Sequence, residues 1–205
     1  LHVGLADVLR EADRLQAAAE QLDQAAELGE SASLPENRFR WFVVRAGLQV
    51  AVGQFEAALA DLSEAERRYR PGFLPDIRPL HAARARVLIR SGRLDEARAW
   101  ARDHAVVDAH PTDFAREDEV LTYARLVAAE RRAGRSNDRE IEHVLTLTEQ
   151  IVTAAERARR SGSRVEALTV RSLALAADDA PADDTLAAAV TPGVAAGYAR
   201  LFLDE

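Results

Sequence analysis

The sequence predicts an all-α fold in which antiparallel helix hairpins repeat along the chain. Three observations carry this prediction. Alanine, the residue that most favours helix and lets backbones approach closely, occupies 42 of 205 positions, whereas aromatic residues make up only 5%. The valines and isoleucines recur at helical spacing and do not alternate as in strands. One pattern of small and apolar residues recurs every 39 to 40 positions.

The composition excludes several classes of protein. The absence of cysteine excludes disulfide scaffolds, thiolate zinc sites and thiol catalysis. No run of apolar residues is long enough to span a membrane, and no secretory segment opens the sequence. All 27 basic residues are arginine and the net charge is −7, which argues against general affinity for nucleic acid.

Three segments align without gaps from Ala6, Ala46 and Ala85. Seven positions later each segment reaches a turn residue, and two positions beyond the turn each has an apolar residue. The turn residues are Asp13, Gly53 and Gly92, and the apolar residues are Leu15, Phe55 and Leu94. A second alanine follows 12 positions after the first, at Ala18, Ala58 and Ala97. Such offsets predict a helix, a left-handed turn and a second helix that crosses the first closely.

One hairpin cannot bury its apolar face alone, so neighbouring hairpins must stack. The offsets match the tetratricopeptide pattern, with a period longer than the usual ~34 residues. We therefore expect a single tetratricopeptide-like domain over residues 1–205, coiled as a right-handed superhelix.

The hairpins are expected in order, separated by loops rich in Gly, Pro and Ser. Their approximate ranges are 3–28, 36–69, 77–106, 113–160 and 164–190, followed by a short terminal element. Pro35 suits the start of the second hairpin, and Thr112 or Asp113 suits the cap of the fourth. Breaks are expected at 161–163, with Ser163 capping the next helix, and at Pro192.

No catalytic or metal-binding pattern emerges. The chain contains no lysine and no phosphate-binding loop, so nucleotide hydrolysis within it is not expected. No two of the five histidines have helical spacing, and His104 occupies a packing position of the hairpin. The acidic run 117–119 opens a helix, where the helix dipole favours carboxylates. We expect no cofactor and no metal.

The first helix of each hairpin carries the residues that would line an inner groove. Arg40, Arg86 and Arg90 lie there, and a guanidinium donates hydrogen bonds in a fixed fork that suits carboxylates, phosphates or sugar hydroxyls. Tyr123, like Trp41, could stack on a sugar ring or pack in the core. The competing interpretation is that these arginines pair with acids of the next repeat.

The last nine residues, Gly-Tyr-Ala-Arg-Leu-Phe-Leu-Asp-Glu, resemble the Gly-Tyr-x-Arg-x-Phe-x-Asp-Glu motif of the MalT-like, large ATP-binding LuxR-type transcriptional regulators. Segments within 5–22, 78–94, 116–125 and 160–166 are similar to other stretches of that family, in the family's order. Asp13 departs from the family because glycine is usual at that turn, and 188–196 departs from its approach to the terminal motif.

The resemblance implies a longer cytoplasmic regulator with a nucleotide-binding domain before this chain and a DNA-binding domain after it. The helical array would sense a small-molecule effector and support self-association, and DNA would be bound only through the further domain. Two alternatives remain open. One is a protein-interaction scaffold whose groove holds a peptide or a second subunit, and the other is an all-α enzyme.

Overall fold

Five helical hairpins make up the computed structural model, which describes residues 1–29, 38–71, 76–109 and 113–205. The hairpin helices are α1 (His2–Glu11), α2 (Leu15–Glu27), α3 (Phe39–Ala51), α4 (Phe55–Arg68), α5 (Leu80–Arg90), α6 (Leu94–Asp103), α7 (Glu117–Arg132), α8 (Asp138–Arg157), α9 (Ser161–Ala177) and α10 (Asp183–Ala195). A short helix, α11 (Arg200–Leu203), follows. The described residues contain no strand, and the all-α hairpin fold is confirmed.

A left-handed residue ends the first helix of every hairpin. Gly53 and Gly92 have φ of 75°, and Gly134 has φ of 68°. The other two turns place Asp13 at φ 58° and Asp179 at φ 53°, and aspartate is one of the few residues that tolerate this region. The predicted turns at 13, 53 and 92 are therefore correct, and Asp13 adopts the conformation that glycine has in the second, third and fourth hairpins.

The alanines that define the repeat lie where the paired helices touch. Ala6, Ala85, Ala18, Ala58 and Ala97 are fully buried, and Ala46 is only 2% exposed. Small side chains at both positions of the crossing let the two backbones approach, as the repeat predicted. In the first hairpins Ala6, Leu22 and Val44 form a buried cluster that Val3, Trp41 and Leu48 complete.

The chain divides into two compact units, one of Leu1–Asp76 with Gly197–Glu205 and one of Ile77–Ala196. In the first unit α1 packs against α2, α3 and α11, and α3 packs against α4. In the second unit α7 packs against α5, α6, α8 and α9, and α9 packs against α10. Each hairpin lies whole within one unit, so the division falls between repeats. The expectation of a single domain stays a prediction.

Two helix boundaries differ from the sequence prediction. The helix α9 begins at Ser161 and not after a cap at Ser163, because Arg159 already makes the turn at φ 54°. Pro192 lies inside α10, which continues to Ala195. Proline lacks an N–H and usually ends or kinks a helix, but α10 continues for three residues past Pro192.

The start of the fourth hairpin is also more elaborate than expected. Asp113 accepts a hydrogen bond from the Ala115 N–H at 3.0 Å and caps a 3-10 turn, Phe114–Arg116, that leads into α7. Asn137 and Glu140 form a reciprocal capping box at the start of α8. Pro35 and Thr112 lie outside the described residues. No helix among the described residues has the length and apolar character needed to cross a membrane.

We expect Gly92→Ala to lower the free energy of unfolding by about 1 kcal/mol, because a side chain at φ 75° is strained. Gly4→Ala is the matched control. Gly4 lies inside α1, and an added Cβ would meet no atom within 4 Å, so this change should stabilise by at most about 1 kcal/mol. Urea denaturation measures both, and equal effects of the two substitutions would contradict the assignment of the turn.

Candidate functional site

The helix α7 is buried along most of its length although it carries many charges. Thirteen of its 16 residues are buried, and five of these are charged: Glu117, Asp118, Glu119, Arg125 and Glu130. A charge removed from water is costly unless it is paired and hydrogen-bonded. The neighbouring elements must therefore supply partners, and the positions of those partners define the chemistry of this region.

Each residue of the acidic run at the start of α7 pairs with an arginine from a different element. Arg160 Nη1 donates to Glu117 at 2.5 Å, and Arg86 Nη1 donates to Asp118 at 2.7 Å. The third acid, Glu119, accepts from the Nε of Arg116 at 2.5 Å. The sequence interpretation attributed this run to the helix dipole. The run does occupy the first turn of α7, but its burial makes the arginine partners necessary as well.

A cluster of five charged residues joins α5, α7 and α9. It comprises Arg78, Arg86, Asp118, Arg125 and Glu166, and we call it the three-helix cluster. Glu166 of α9 lies 3.2 Å from Arg125, 3.4 Å from Arg78 and 3.8 Å from Arg86. Arg86 also pairs with Asp118, as the competing interpretation of the groove arginines anticipated. Three guanidiniums face two carboxylates, so the cluster carries one excess positive charge.

The arginine neighbours of Glu166 outweigh the effect of burial on its pKa. Desolvation would raise the pKa of Glu166, but attraction to Arg125, Arg78 and Arg86 outweighs it and holds the pKa below its ordinary value. Glu166 therefore stays ionised at neutral pH, as its role as a shared acceptor requires. The side chain of Asp118 is 5% exposed, and its Oδ2 has no hydrogen-bond partner among the described residues.

The structure places the four predicted contact residues in different environments. Arg86 belongs to the three-helix cluster with 26% of its side chain exposed, and Arg90 is exposed one turn further along α5. Tyr123 is only 2% exposed, so its ring packs in the core and offers no free face for stacking. Burial raises the pKa of its hydroxyl, and the Arg98 guanidinium lies 5.8 Å from the ring centre. Arg40 is exposed on α3, in the other unit.

Trp41, also considered for stacking, has a structural role. Its Nε1 donates to the Leu22 carbonyl at 3.0 Å, and the Arg45 guanidinium lies over its ring at 4.2 Å. The hydrogen bond holds α3 to α2 through the polar edge of the indole, and the Arg45 contact, within α3, uses one face of the ring. The packing interpretation therefore describes Trp41 in this structure.

A second group that sequence reasoning missed contains two stacked histidines. The rings of His81 and His104 lie 3.9 Å apart, and Trp100 Nε1 donates to His81 Nδ1 at 2.9 Å. The Nε2 of His81 points toward Glu119 at 3.5 Å. His81 and His104 are 23 positions apart, so no local spacing could reveal the pair. Within the described ranges no three His, Cys, Asp or Glu residues are grouped to hold a metal ion.

The terminal Gly-Tyr-x-Arg-x-Phe-x-Asp-Glu segment docks on the first hairpin, within the first unit. Arg200, with a side chain 8% exposed, pairs with Asp13 at 3.1 Å and with Asp204. The backbone joins the same surface, since the Ala199 N–H donates to the Glu11 carbonyl at 3.0 Å. The arginine of the motif thus binds the left-handed turn residue of the first repeat, which explains an aspartate at that turn.

The family model of the MalT-like TPR region, TPR denoting the tetratricopeptide repeat, matches residues 1–205. This agrees with the resemblance seen in the terminal motif and in the segments before it. No curated protein and no solved structure matches the chain.

Glu166→Gln should lower the free energy of unfolding by about 3 kcal/mol at neutral pH, because it leaves the guanidinium of the buried Arg125 without its carboxylate. Because the folded-state pKa of Glu166 is depressed, this stabilisation is present above its ordinary pKa of 4.5 and is lost as the pH falls through the lowered value. The gap between wild type and variant in urea denaturation should therefore shrink as the pH is lowered below 4.5.

The matched control is Glu149→Gln on α8. Glu149 pairs with Arg171 at 3.4 Å, but its side chain is 68% exposed, so its loss should cost less than about 1 kcal/mol. A pH-independent gap for Glu166→Gln, or an equal cost at both positions, would contradict a buried, ionised Glu166.

Proposed function

The chain belongs to the MalT-like TPR family, and from this premise we propose that it is the effector-sensing and self-association region of a LuxR-type transcriptional regulator. The role is non-catalytic and needs no cofactor within this chain. Nucleotide hydrolysis and DNA binding fall to other domains of the regulator, which acts in the cytoplasm. The observation that carries the proposal is the three-helix cluster, where the first helices of three successive hairpins share one group of charges.

The effector is proposed to bind where this cluster reaches solvent. Arg78 keeps 70% of its side chain exposed while it contacts Glu166, and Arg86 is partly exposed beside it. Arg90 lies one turn beyond Arg86 on α5. Arg78 can donate to a carboxylate or to sugar hydroxyls without leaving Glu166 unpaired, since Arg125 still binds Glu166. Arg86 has N–H donors beyond the one that binds Asp118, so it can contact a ligand and keep that pair.

The same contacts suggest how binding could be transmitted. An acceptor group that competes with Glu166 for Arg78 would weaken the link between α9 and the segment that leads into α5. The packing of α5 and α9 on α7 would then shift toward a second arrangement. An effector can change the population of two arrangements only by its difference in affinity for them, so it must bind the loosened arrangement better.

A second candidate function, a protein-interaction scaffold, is favoured by a different surface. Leu5 and Val8 of α1 are 44% and 67% exposed, and Leu1 extends the same apolar stripe. Exposed apolar surface of this kind suits contact with another helix. A partner protein or a second copy of this chain could cover it without a small molecule.

The experiment is a thermal-shift screen of the chain against sugars, organic acids and nucleotides, with the oligomeric mass measured by native mass spectrometry. A specific ligand at about 100 times its Kd should stabilise the chain by about 2.7 kcal/mol. A dimer mass with no ligand that stabilises the chain would favour the scaffold and contradict the sensor proposal.

Arg90→Ala should weaken a ligand found in this screen by about tenfold, because it removes one charge-assisted hydrogen bond near the cluster. Arg102→Ala is the matched control, since Arg102 is also an exposed arginine in the last turn of its helix. Titration calorimetry gives both affinities. If both variants bind as wild type does, the effector does not use this face.

A further inference from the structure

The terminal segment, residues 197–205, is helical because the first hairpin caps it. Its helix α11 has four residues, whereas an isolated helix needs roughly 12 to 15 residues to be even marginally stable in water. Ala199, at the N-cap, offers no side-chain cap. Its N–H donates to the Glu11 carbonyl at 3.0 Å, and the Leu201 N–H donates to the Glu11 carboxylate at 2.9 Å. Docking of the segment and formation of its helix are therefore one event.

Charged groups hold the segment to the end of α1 and to the turn that follows it. Arg200 Nη1 donates to Asp13 at 3.1 Å, and its Nη2 donates to Asp204. Arg10 of α1 lies 3.9 Å from Asp204 and 3.3 Å from Glu11, so it also steadies the acid that caps α11. Burial lowers the pKa of Arg200, but hydrogen bonds with Asp204 and Asp13 outweigh burial and raise it above its ordinary value.

Apolar packing adds little to this attachment. Within α11, which the structure describes in full, Arg200 is the only buried residue, and Leu203 is 58% exposed. Leu201 and Phe202 are partly buried. The Arg200 Nε is buried without a hydrogen-bond partner among the described residues, which costs free energy. Because hydrophobic stabilisation scales with the apolar area removed from water, the segment is held less firmly than the helices of the hairpins.

The backbone before the segment can turn without strain. Gly197 has φ of 83°, a left-handed conformation that glycine adopts readily, and it follows the end of α10. An added Cβ at Gly197 would meet no atom of the described residues within 4 Å. Rotation about this residue can therefore free the segment while α10 keeps its packing against α9.

We propose that residues 197–205 form a clasp, which alternates between a docked helix and a released, unfolded segment while the hairpins stay folded. Local opening costs less free energy than global unfolding where few apolar contacts must be broken. The clasp also covers the end of α1. A partner that binds there, or that binds the released segment, must first open the clasp, and its apparent affinity is reduced by the small fraction released. The clasp goes beyond the proposed effector face, because it lies in the other unit and shares no residue with the three-helix cluster.

The test is native-state hydrogen exchange of the whole chain in low concentrations of urea, followed at the amides of 199–204 and of α1. We expect the terminal amides to exchange through an opening that low urea does not promote, because it exposes little surface. This opening should be at least about tenfold more frequent than that of α1. A second readout is the rate at which trypsin releases residues 201–205, because Arg200 is buried in the docked clasp.

The variant is Asp13→Asn, which removes the carboxylate that binds Arg200 and keeps a residue that tolerates positive φ. The matched control is Asp179→Asn, the same change at the left-handed turn of the fifth hairpin. We expect protection of the 199–204 amides to fall about tenfold in the variant, with faster release of 201–205, and to change less than about twofold in the control.

Three outcomes would overturn the proposal: exchange of the terminal amides only with global unfolding, no protection of these amides in the wild type, or an equal loss in the variant and the control. If the α1 amides of Asp13→Asn also lose protection, Arg200→Gln removes the same pair from the other side, and hydrogen exchange must give the same result for it. The clasp is measured without a ligand, so its failure leaves the effector proposal intact, and a screen that finds no effector leaves the clasp intact.

Discussion

The burial of charge on α7 is the constraint on which the second unit depends. A helix of 16 residues with 13 buried must place apolar groups against its neighbours, yet five of the buried residues are charged. Each charge needs a partner within hydrogen-bond reach. Arg86 from α5, Arg98 from α6 and Glu166 from α9 supply such partners, so these three neighbours are fixed in register by charge pairs as well as by packing. The burial of charge on α7 therefore constrains both the order of the hairpins and the positions of their arginines.

The first unit meets a similar requirement with fewer buried charges. Arg45 of α3 donates to Asp61 of α4, and Arg10 approaches α3 so closely that an added Cβ at Gly47 would lie 2.8 Å from its side chain. The terminal segment adds Arg200, which binds the turn at Asp13. The motif that first indicated the family therefore acts through packing and charge in this structure. Its arginine joins the two ends of the described chain within one unit.

The sequence predicted the features that a few neighbouring residues determine, namely the turns and the buried alanines. Turns at Gly53 and Gly92 follow from the need for positive φ, and the buried alanines follow from the repeat, because both signals are complete within a few residues. The three-helix cluster was not predictable in the same way. Arg86 and Asp118 are 32 positions apart and Arg125 and Glu166 are 41 apart, and composition does not reveal which acid meets which arginine. The burial of Tyr123 was not predictable either, since it follows from the central place of α7 among the helices of the second unit.

The charge balance of the three-helix cluster limits which ligands suit it. In the three-helix cluster two carboxylates offset three guanidiniums, so a ligand must compete with Glu166 and gains little from charge alone. Directional acceptors such as sugar hydroxyls or one carboxylate suit that competition. Salt should therefore weaken binding at the cluster only modestly, because screening acts on net charge.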